Sequence, residues 1–280
     1  PYIINSALTI NEGATLTIEP GAVLKFSSTS SCIQVNGTLK AEGTEGSPII
    51  FTSYKDDSYG GDANGDGDAS LPQYFDWVGI RIYSTGGASV LKHCVVKYAG
   101  FGTTVRSAIY VNGSDPVIDH CIIADNYAHS GYGAIHLMNA SPTITNNTIS
   151  NASANSQIYC AGDSDPDILN NTIYGLLECV DTSDPMIDGN TFSGSSGGIR
   201  VGLVCQPTII NNAFTGCSVP ITLSPNYTPR MENNTFTDCK VYGVVVSGAV
   251  SSDAAFSPRI GMPYIINSAL TINEGATLTI

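Results

Sequence analysis

The sequence predicts an all-β solenoid, in which one chain winds through stacked coils of short strands. A motif of the form P-x-φ-x-N-N-x-φ, where φ is apolar, recurs along most of the chain. Its copies begin at Pro116, Pro142, Pro166, Pro185, Pro207 and Pro229, with a degenerate copy at Ser89. Repeats of this length that carry strands and turns, without the apolar period of a helix, are typical of solenoids.

Each copy of the motif predicts two short strands joined by a turn. The third and eighth positions are apolar, and the polar pair between them interrupts a simple strand alternation. Asparagine tolerates left-handed backbone, so Asn-Asn is favourable in a turn. A further β-rich run follows in each repeat, such as Ala134–Met138 or Gly198–Val201. A coil of about 22 residues cannot bury its own apolar face, but coils stacked about 4.8 Å apart share one core.

The N-terminal part of the chain continues the same pattern before the motif begins. Ala7–Ile18 reads as two alternating strands around an N-E-G turn, and Val23–Phe26, Cys32–Val35 and Thr38–Lys40 follow in the same style. We therefore expect these residues to form further coils of the same solenoid.

The motif and the opening run T-L-T-I-E-P-G-A-V-L-K-F resemble the right-handed parallel β-helix repeat family, including secreted prokaryotic surface β-solenoid proteins. The resemblance implies a single-stranded right-handed parallel β-helix of about 12 coils, with an external acidic loop near residues 56–76. It also implies that the second Asn of each motif points inward and forms a structural ladder. The ladder residues would be Cys94, Cys121, Asn147, Asn171, Asn190, Asn212 and Asn234.

The two ends of the sequence carry the same stretch, which we call the terminal repeat. Pro1–Ile18 and Pro263–Ile280 are identical at an offset of 262, whereas the internal motif copies have drifted apart. We interpret residues 1–262 as one β-helix unit and residues 263–280 as the start of the next identical unit in a tandem array. An artificially introduced overlap is the alternative.

The net charge of −13, with only 11 Lys and Arg among 280 residues, argues against nucleic acid and anionic membranes as partners. No apolar run has the length needed to cross a membrane, so no membrane insertion is expected in this segment. The composition is that of an ordered β protein, and we expect an extracellular or cell-surface location.

Asp56–Asp68 is the one candidate for a bound ion, and we expect calcium there. Asp62, Asn64 and Asp66, followed by Gly67, match the first half of a D-x-[DN]-x-D-G calcium loop. Position twelve is Gln73, where the loop motif has a bidentate Glu. The predicted metal ligands are Asp57, Asp62, Asn64, Asp66 and Asp68, with Asp56 and Asp76 as further candidates. A solvated acidic insertion without a metal is the alternative.

Six of the eight cysteines recur in phase on adjacent coils. The spacing predicts three axial pairs, Cys94 with Cys121, Cys160 with Cys179, and Cys217 with Cys239. Stacked coils bring Cα atoms within disulfide range, so each pair is either an axial disulfide or a pair of stacked free thiols. Cys32 and Cys205 have no evident partner.

Three classes of function are compatible with the sequence. The repeated ends favour a structural unit of an extracellular stalk or filament, whose partners are copies of itself along the fibre axis. A glycan-binding adhesin is the second class, since Tyr74–Trp77 with Tyr98, Phe101, Tyr127 and Tyr132 could form a sugar-stacking surface. A polysaccharide lyase or hydrolase is the third, supported by fold analogy alone.

No catalytic residue is evident, and we expect a non-enzyme. The five arginines are scattered, no paired acids lie at a fixed phase near any of them, and the in-phase pair His93 and His120 fills the turn position of the motif.

Overall fold

The computed structural model describes residues 1–83, 89–102, 105–129, 131–150, 156–226, 229–256 and 262–280. Within these residues the chain forms 34 short strands and no α-helix. All strand pairs are parallel, and each pair joins a strand to the one three further along the chain. Up to Val244–Val246, successive strands therefore belong to sheet 1, sheet 2 and sheet 3 in turn, and three strands make one coil. The predicted right-handed parallel β-solenoid is confirmed.

The three sheets are long and run the length of the solenoid. Sheet 1 contains Tyr2–Ile4, Val23–Phe26, Ile49–Ser53, Cys94–Lys97, Ile122–Ala124, Thr148–Ser150, Thr172–Ile173, Thr191–Ser193, Ala213–Thr215 and Thr235–Thr237. Sheet 2 contains Ala7–Ile10, Cys32–Val35, Gly79–Tyr83, Ile109–Asn112, Gly133–Met138, Ser156–Ala161, Leu176–Cys179, Gly198–Val201, Ile221–Leu223, Val244–Val246 and Tyr264–Ile265. Sheet 3 contains Thr15–Ile18, Thr38–Glu42, Val90–Lys92, Val117–Asp119, Thr143–Thr145, Asp167–Leu169, Met186–Asp188, Thr208–Ile210 and Arg230–Glu232.

Two short pairs complete the last coils. Gly248–Val250 pairs with Leu270–Ile272, and Ala254–Ala255 pairs with Leu278–Thr279. The described strands make about eleven coils rather than twelve. The residues between Ser53 and Gly79 lengthen one coil without adding a strand, which explains the difference.

The two apolar positions of each motif supply two columns of the core, and the inward side chains of sheet 2 complete it. The third position supplies a buried column in sheet 3, formed by Ile118, Ile144, Ile168, Ile187, Ile209 and Met231. The eighth position supplies a column in sheet 1 that ends in three stacked phenyl rings, Phe192, Phe214 and Phe236, with centroids 5.0 and 5.5 Å apart. Full burial of one such side chain contributes about 1.5–3 kcal/mol.

The turn between sheet 3 and sheet 1 has the backbone that the polar pair predicted. Its first residue is left-handed in each copy, with φ between 45° and 67° at His93, His120, Asn146, Asn170, Gly189, Asn211 and Asn233. Its second residue points into the core, where it stacks on the corresponding residue of the next coil.

Candidate functional site

The acidic loop lies between Ile49–Ser53 of sheet 1 and Gly79–Tyr83 of sheet 2, on the outside of the solenoid. Asp62 organises its tip by accepting backbone N–H bonds from Gly65 at 2.7 Å, Gly67 at 2.9 Å and Asp66 at 3.3 Å. Gly65 and Gly67 have φ of 72° and 60°, which glycine adopts without strain. These N–H donors, Gly67 first, hold the pKa of Asp62 below its ordinary value.

Three of the predicted ligands converge. Carboxylate oxygens of Asp57, Asp62 and Asp66 lie within 4.8 Å of one another. Calcium–oxygen distances are about 2.4 Å, so two ligand oxygens on one ion are at most about 4.8 Å apart. Burial, followed by the charge of Asp62, raises the pKa of Asp57. The separation of these carboxylates is therefore compatible with a shared cation.

Two oxygens beside this cluster have no partner among the described residues. Oδ1 of Asp57 and Oδ1 of Asn64 are both shielded from solvent and accept no hydrogen bond. The amide nitrogen of Asn64 donates to Ser70 Oγ at 3.0 Å, which fixes the orientation of its side chain. Buried oxygens without donors are costly, and a hard cation such as calcium would satisfy both. The donor set therefore fits calcium.

A buried lysine lies beneath the loop. Lys25 points outward from sheet 1 and is fully covered, and its ammonium donates to the carbonyl of Gly61. Its positive charge opposes the rise in the pKa of Asp57 and adds to the lowering of the pKa of Asp62. Lys25 thus supplies part of the charge compensation that a metal ion would complete.

The other acidic residues of the region have different partners. Asp56 is buried and accepts hydrogen bonds from Thr52 and Ser58. Asp76 accepts from Ser53 Oγ at 2.7 Å and pairs with Lys55 at 3.1 Å. Asp68 lies outside the group of three carboxylates, although its charge contributes to raising the pKa of Asp57. The assignment of all five predicted ligands remains a prediction.

The predicted ladder positions form one continuous hydrogen-bonded column. The side-chain nitrogens of Asn147, Asn171, Asn190 and Asn212 donate to the Oδ1 of the next ladder asparagine at 2.9–3.1 Å. Each also donates to a backbone carbonyl of an adjacent coil, as Asn190 does to Ile168 at 2.8 Å. Cys121 joins the column through its N–H, which donates to Asn147 Oδ1 at 2.8 Å. This column stabilises the turn, and none of its bonds requires a ligand.

All eight cysteines are buried, free thiols. Cys160 and Cys179 are direct partners in sheet 2, while Cys94 and Cys217 each lie next to the matching cysteine of the following coil. The neighbouring thiol and burial raise the pKa of Cys179 well above its ordinary value. Burial raises the pKa values of Cys205 and Cys217 to about 11 and about 12. The sequence analysis left axial disulfides and stacked free thiols as alternatives, and a thiol count distinguishes them.

The outer face of sheet 2 carries a groove that the sequence analysis missed. Tyr159, Glu178 and Arg200 are successive register partners, and they line a groove of about 680 Å³ together with Ser196 and Thr222. Arg200 Nη1 lies 3.2 Å from Glu178 Oε1. Arg200 therefore has one acid at a matching phase, although not the paired acids that the sequence analysis looked for. The separation of 22 residues is close to one coil, but coil length varies along the chain, so the sequence alone does not identify Glu178 and Arg200 as partners.

The tryptophan is not part of any exposed aromatic surface. Trp77 is fully buried, stacks on Phe26 at 3.8 Å between centroids, and donates its indole N–H to the carbonyl of Lys97. Tyr74 and Phe75 are exposed and contact the half-buried Tyr127, with Phe75 and Tyr127 centroids 5.0 Å apart. Tyr98 and Phe101 line the surface beside them, so the expected sugar-stacking surface lacks Trp77.

The histidines separate into two environments. His93 and His120 stack at the turn position, with centroids 4.8 Å apart, and His120 Nδ1 lies 2.7 Å from Asp119. His136 is buried on the outer row of sheet 2, beside Tyr132 and Tyr159. Burial lowers the pKa of His136 to about 4.

Comparison with known proteins places the chain in a family. Residues 74–180 and 175–255 match the family described as "Right handed beta helix region", and residues 1–66 match "Pectate-lyase like beta helix domain". The chain therefore belongs to the right-handed β-helix family, in which such domains occur in both enzymes and non-enzymes. Searches of curated proteins and of solved structures gave no match. Among the described residues, no helix is long and apolar enough to span a membrane.

Proposed function

We propose that the chain is a structural, non-catalytic repeat unit of an extracellular stalk or filament, and that its acidic loop binds calcium. The observation that carries the proposal is the placement of the second copy of the terminal repeat. Residues 264–279 stack in parallel on the coil formed by Val244–Val246, Gly248–Val250 and Ala254–Ala255. The end of one unit therefore accepts the first strands of another.

The mechanism of such a unit is mechanical. Its backbone hydrogen bonds run between coils, and therefore along the fibre axis. The asparagine column and the apolar columns add side-chain contacts in the same direction. Calcium would fasten the one long external loop to its coil, since Asp57 lies near that coil and Asp62 lies at the loop tip.

Electron microscopy and denatured chain length test the filament. We expect filaments made of chains many units long, because the junction continues within one chain. Filaments of single-unit chains would favour end-to-end association instead. Discrete monomers of single-unit chains would overturn the stalk proposal.

Thermal unfolding in calcium and in chelator tests the metal. We expect calcium to raise the melting temperature of the native chain. The variant Asp62→Ala with Asp66→Ala should lose this increase. The control Glu12→Ala with Glu274→Ala removes two exposed charges outside the loop and should keep it. Identical melting of the native chain in calcium and chelator would refute the calcium site.

The groove on sheet 2 supports a second candidate, a glycan-binding adhesin. Arg200 and Glu178 offer charge and hydrogen bonds, and the half-buried Tyr159 offers a ring face for sugar stacking. A glycan array with the native chain and with Arg200→Gln tests this candidate. Binding that Arg200→Gln abolishes would favour it, and reducing-sugar release from acidic polysaccharides would favour an enzyme.

A further inference from the structure

The two copies of the terminal repeat occupy different sheets. Tyr2–Ile4 pairs with Val23–Phe26 in sheet 1, with Tyr2 opposite Leu24. The identical residues Tyr264–Ile265 pair with Val244–Val246 in sheet 2, with Tyr264 opposite Val244. The second copy therefore begins in sheet 2, one sheet later than the first.

The two placements use opposite edges of the same strand. Tyr2–Ile4 bonds to a strand that follows it in the chain, whereas Tyr264–Ile265 bonds to a strand that precedes it. A strand inside a solenoid bonds to the preceding coil on one edge and to the following coil on the other. One segment can therefore make both sets of bonds at once, and the two placements are compatible within a continuous array.

The same side chains face the core in both copies. Tyr264 stacks on Phe256 with centroids 4.8 Å apart, and Leu270 and Leu278 pack against the core. Their counterparts Tyr2, Leu8 and Leu16 line one apolar cavity of about 290 Å³ at the opposite end of the solenoid. The second copy thus shows how these side chains would be covered by the last coil of a preceding unit.

We propose that sheet 2 of each unit continues as sheet 1 of the next, so that successive units are rotated about the fibre axis by about one third of a turn. This inference rests on the proposed tandem array. In the described residues, Tyr264–Ile265 comes 31 strands after Tyr2–Ile4, an offset of ten coils of three strands and one strand more. At about 4.8 Å per coil, one unit rises about 50 Å.

The rotation determines how the array displays its surfaces. The acidic loop lies between sheets 1 and 2 of its unit, so loops of successive units point in three directions around the fibre. The groove on the outer face of sheet 2 meets the outer face of sheet 1 at each junction, and therefore ends within one unit. A ligand in this groove therefore binds to one unit, because the groove does not continue across the junction into the next unit.

Cysteine cross-linking in the chain itself tests the placement. Val245 and Ile265 are outward-facing register partners in sheet 2, so Val245→Cys with Ile265→Cys should form a disulfide on oxidation, found by peptide mapping. The matched variant Thr237→Cys with Ile265→Cys reports the unrotated placement in sheet 1 and should not cross-link. The single variant Ile265→Cys controls for pairing with native cysteines.

Cross-linking only of the sheet 1 pair, or of neither pair, would overturn the rotation. Helical reconstruction of filaments provides the second readout. We expect a rise of about 50 Å with about one third of a turn per unit, and a rise of the same size without rotation would also refute the inference. An absence of filaments would refute the array and leave the cross-linking result valid.

Discussion

Asn171 donates both its backbone N–H and its side-chain amide to one atom, Oδ1 of Asn190, at 2.8 and 3.0 Å. Asn190 in turn makes the same two bonds to Asn212, at 2.9 and 3.1 Å. Every side-chain oxygen in the middle of this column therefore accepts two bonds from the preceding coil. The column explains why the second position of the turn tolerates so little variation among the motif copies.

Replacing Asn190 with Ala should destabilise the chain strongly. The change leaves the backbone N–H of Asn171 without its acceptor, removes one acceptor of the Asn171 side-chain amide, and deletes a donor to the carbonyl of Ile168. An unsatisfied buried group costs about 1–3 kcal/mol, so we expect a loss of about 3 kcal/mol or more. Denaturant unfolding measures it, provided that the transition is cooperative.

Asn211→Gly is the control for the ladder. Asn211 is the exposed first residue of its turn, with φ of 56°, and glycine keeps this backbone while removing only surface hydrogen bonds. We expect a loss below about 1 kcal/mol. Equal destabilisation by the two variants would contradict the argument that burial of the column carries its stability.

Removing Lys25 should separate its contribution to thermal stability from the contribution of calcium. Lys25→Met keeps an apolar stem but deletes the cation near Asp57 and Asp62. Without metal, repulsion among the carboxylates should then lower the melting temperature below that of the native chain. With calcium, the increment should be larger and the calcium affinity higher, because no competing cation remains.

The exposed Lys40 gives the matched control. Lys40→Met should change neither the melting temperature without metal nor its increase on addition of calcium. If Lys25→Met left the calcium response unchanged while lowering stability, the lysine alone would hold the loop. That outcome would count against the metal site, and calorimetric titration with calcium would decide it directly.

The motif predicted the architecture because each of its positions has one physical role. The apolar positions, the left-handed turn residue and the inward asparagine recur at the same places in successive motif copies. Their roles can therefore be recognised by aligning the copies, without coordinates. Trp77 could not be placed in this way, since it lies at the end of a unique insertion with no second copy to compare. Its burial depends on stacking against Phe26 from another coil.

The register between neighbouring strands of sheet 2 could not be predicted from the sequence either. The spacing between coils varies from one motif copy to the next, so residues that are neighbours in space have no constant separation in sequence. Glu178 and Arg200 become partners only once the pairing of their strands is known. The rotation between units could not be predicted for the same reason. The identical ends reveal how many residues a unit has, but not how many strands.

Calcium binding should weaken in acid. The pKa of Asp57 is raised above 3.8 by burial and by Asp62, so ionised Asp57 is disfavoured in the metal-free fold. Its protonated form stabilises the fold at low pH, and this contribution is lost as pH rises through the folded pKa. Asp62 has a lowered pKa, so its contribution is present above 3.8 and lost as pH falls through the folded value.

Because calcium requires ionised ligands, its affinity should fall as pH drops towards the pKa of Asp57, with proton release on binding. Calorimetry in two buffers of different ionisation enthalpy measures that release. Asp57→Asn should bind calcium more weakly and release fewer protons. Constant affinity of the native chain down to pH near 3.8 would argue against Asp57 as a ligand.

Thiol counting should distinguish free cysteines from axial disulfides, and we expect eight thiols in the unfolded, unreduced chain. In the folded chain, the neighbouring thiol and burial raise the pKa of Cys179, and burial raises the pKa values of Cys205 and Cys217, so these residues carry little reactive thiolate. Cys32 should react first with a disulfide reagent, because it is 8 % exposed and the charge of Arg81 opposes the rise in its pKa. Peptide mapping after brief labelling measures this order, and Cys32→Ser should remove the fast phase. A count of two would mean that all three axial pairs are oxidised. The pairs would then be disulfide cross-links between neighbouring coils.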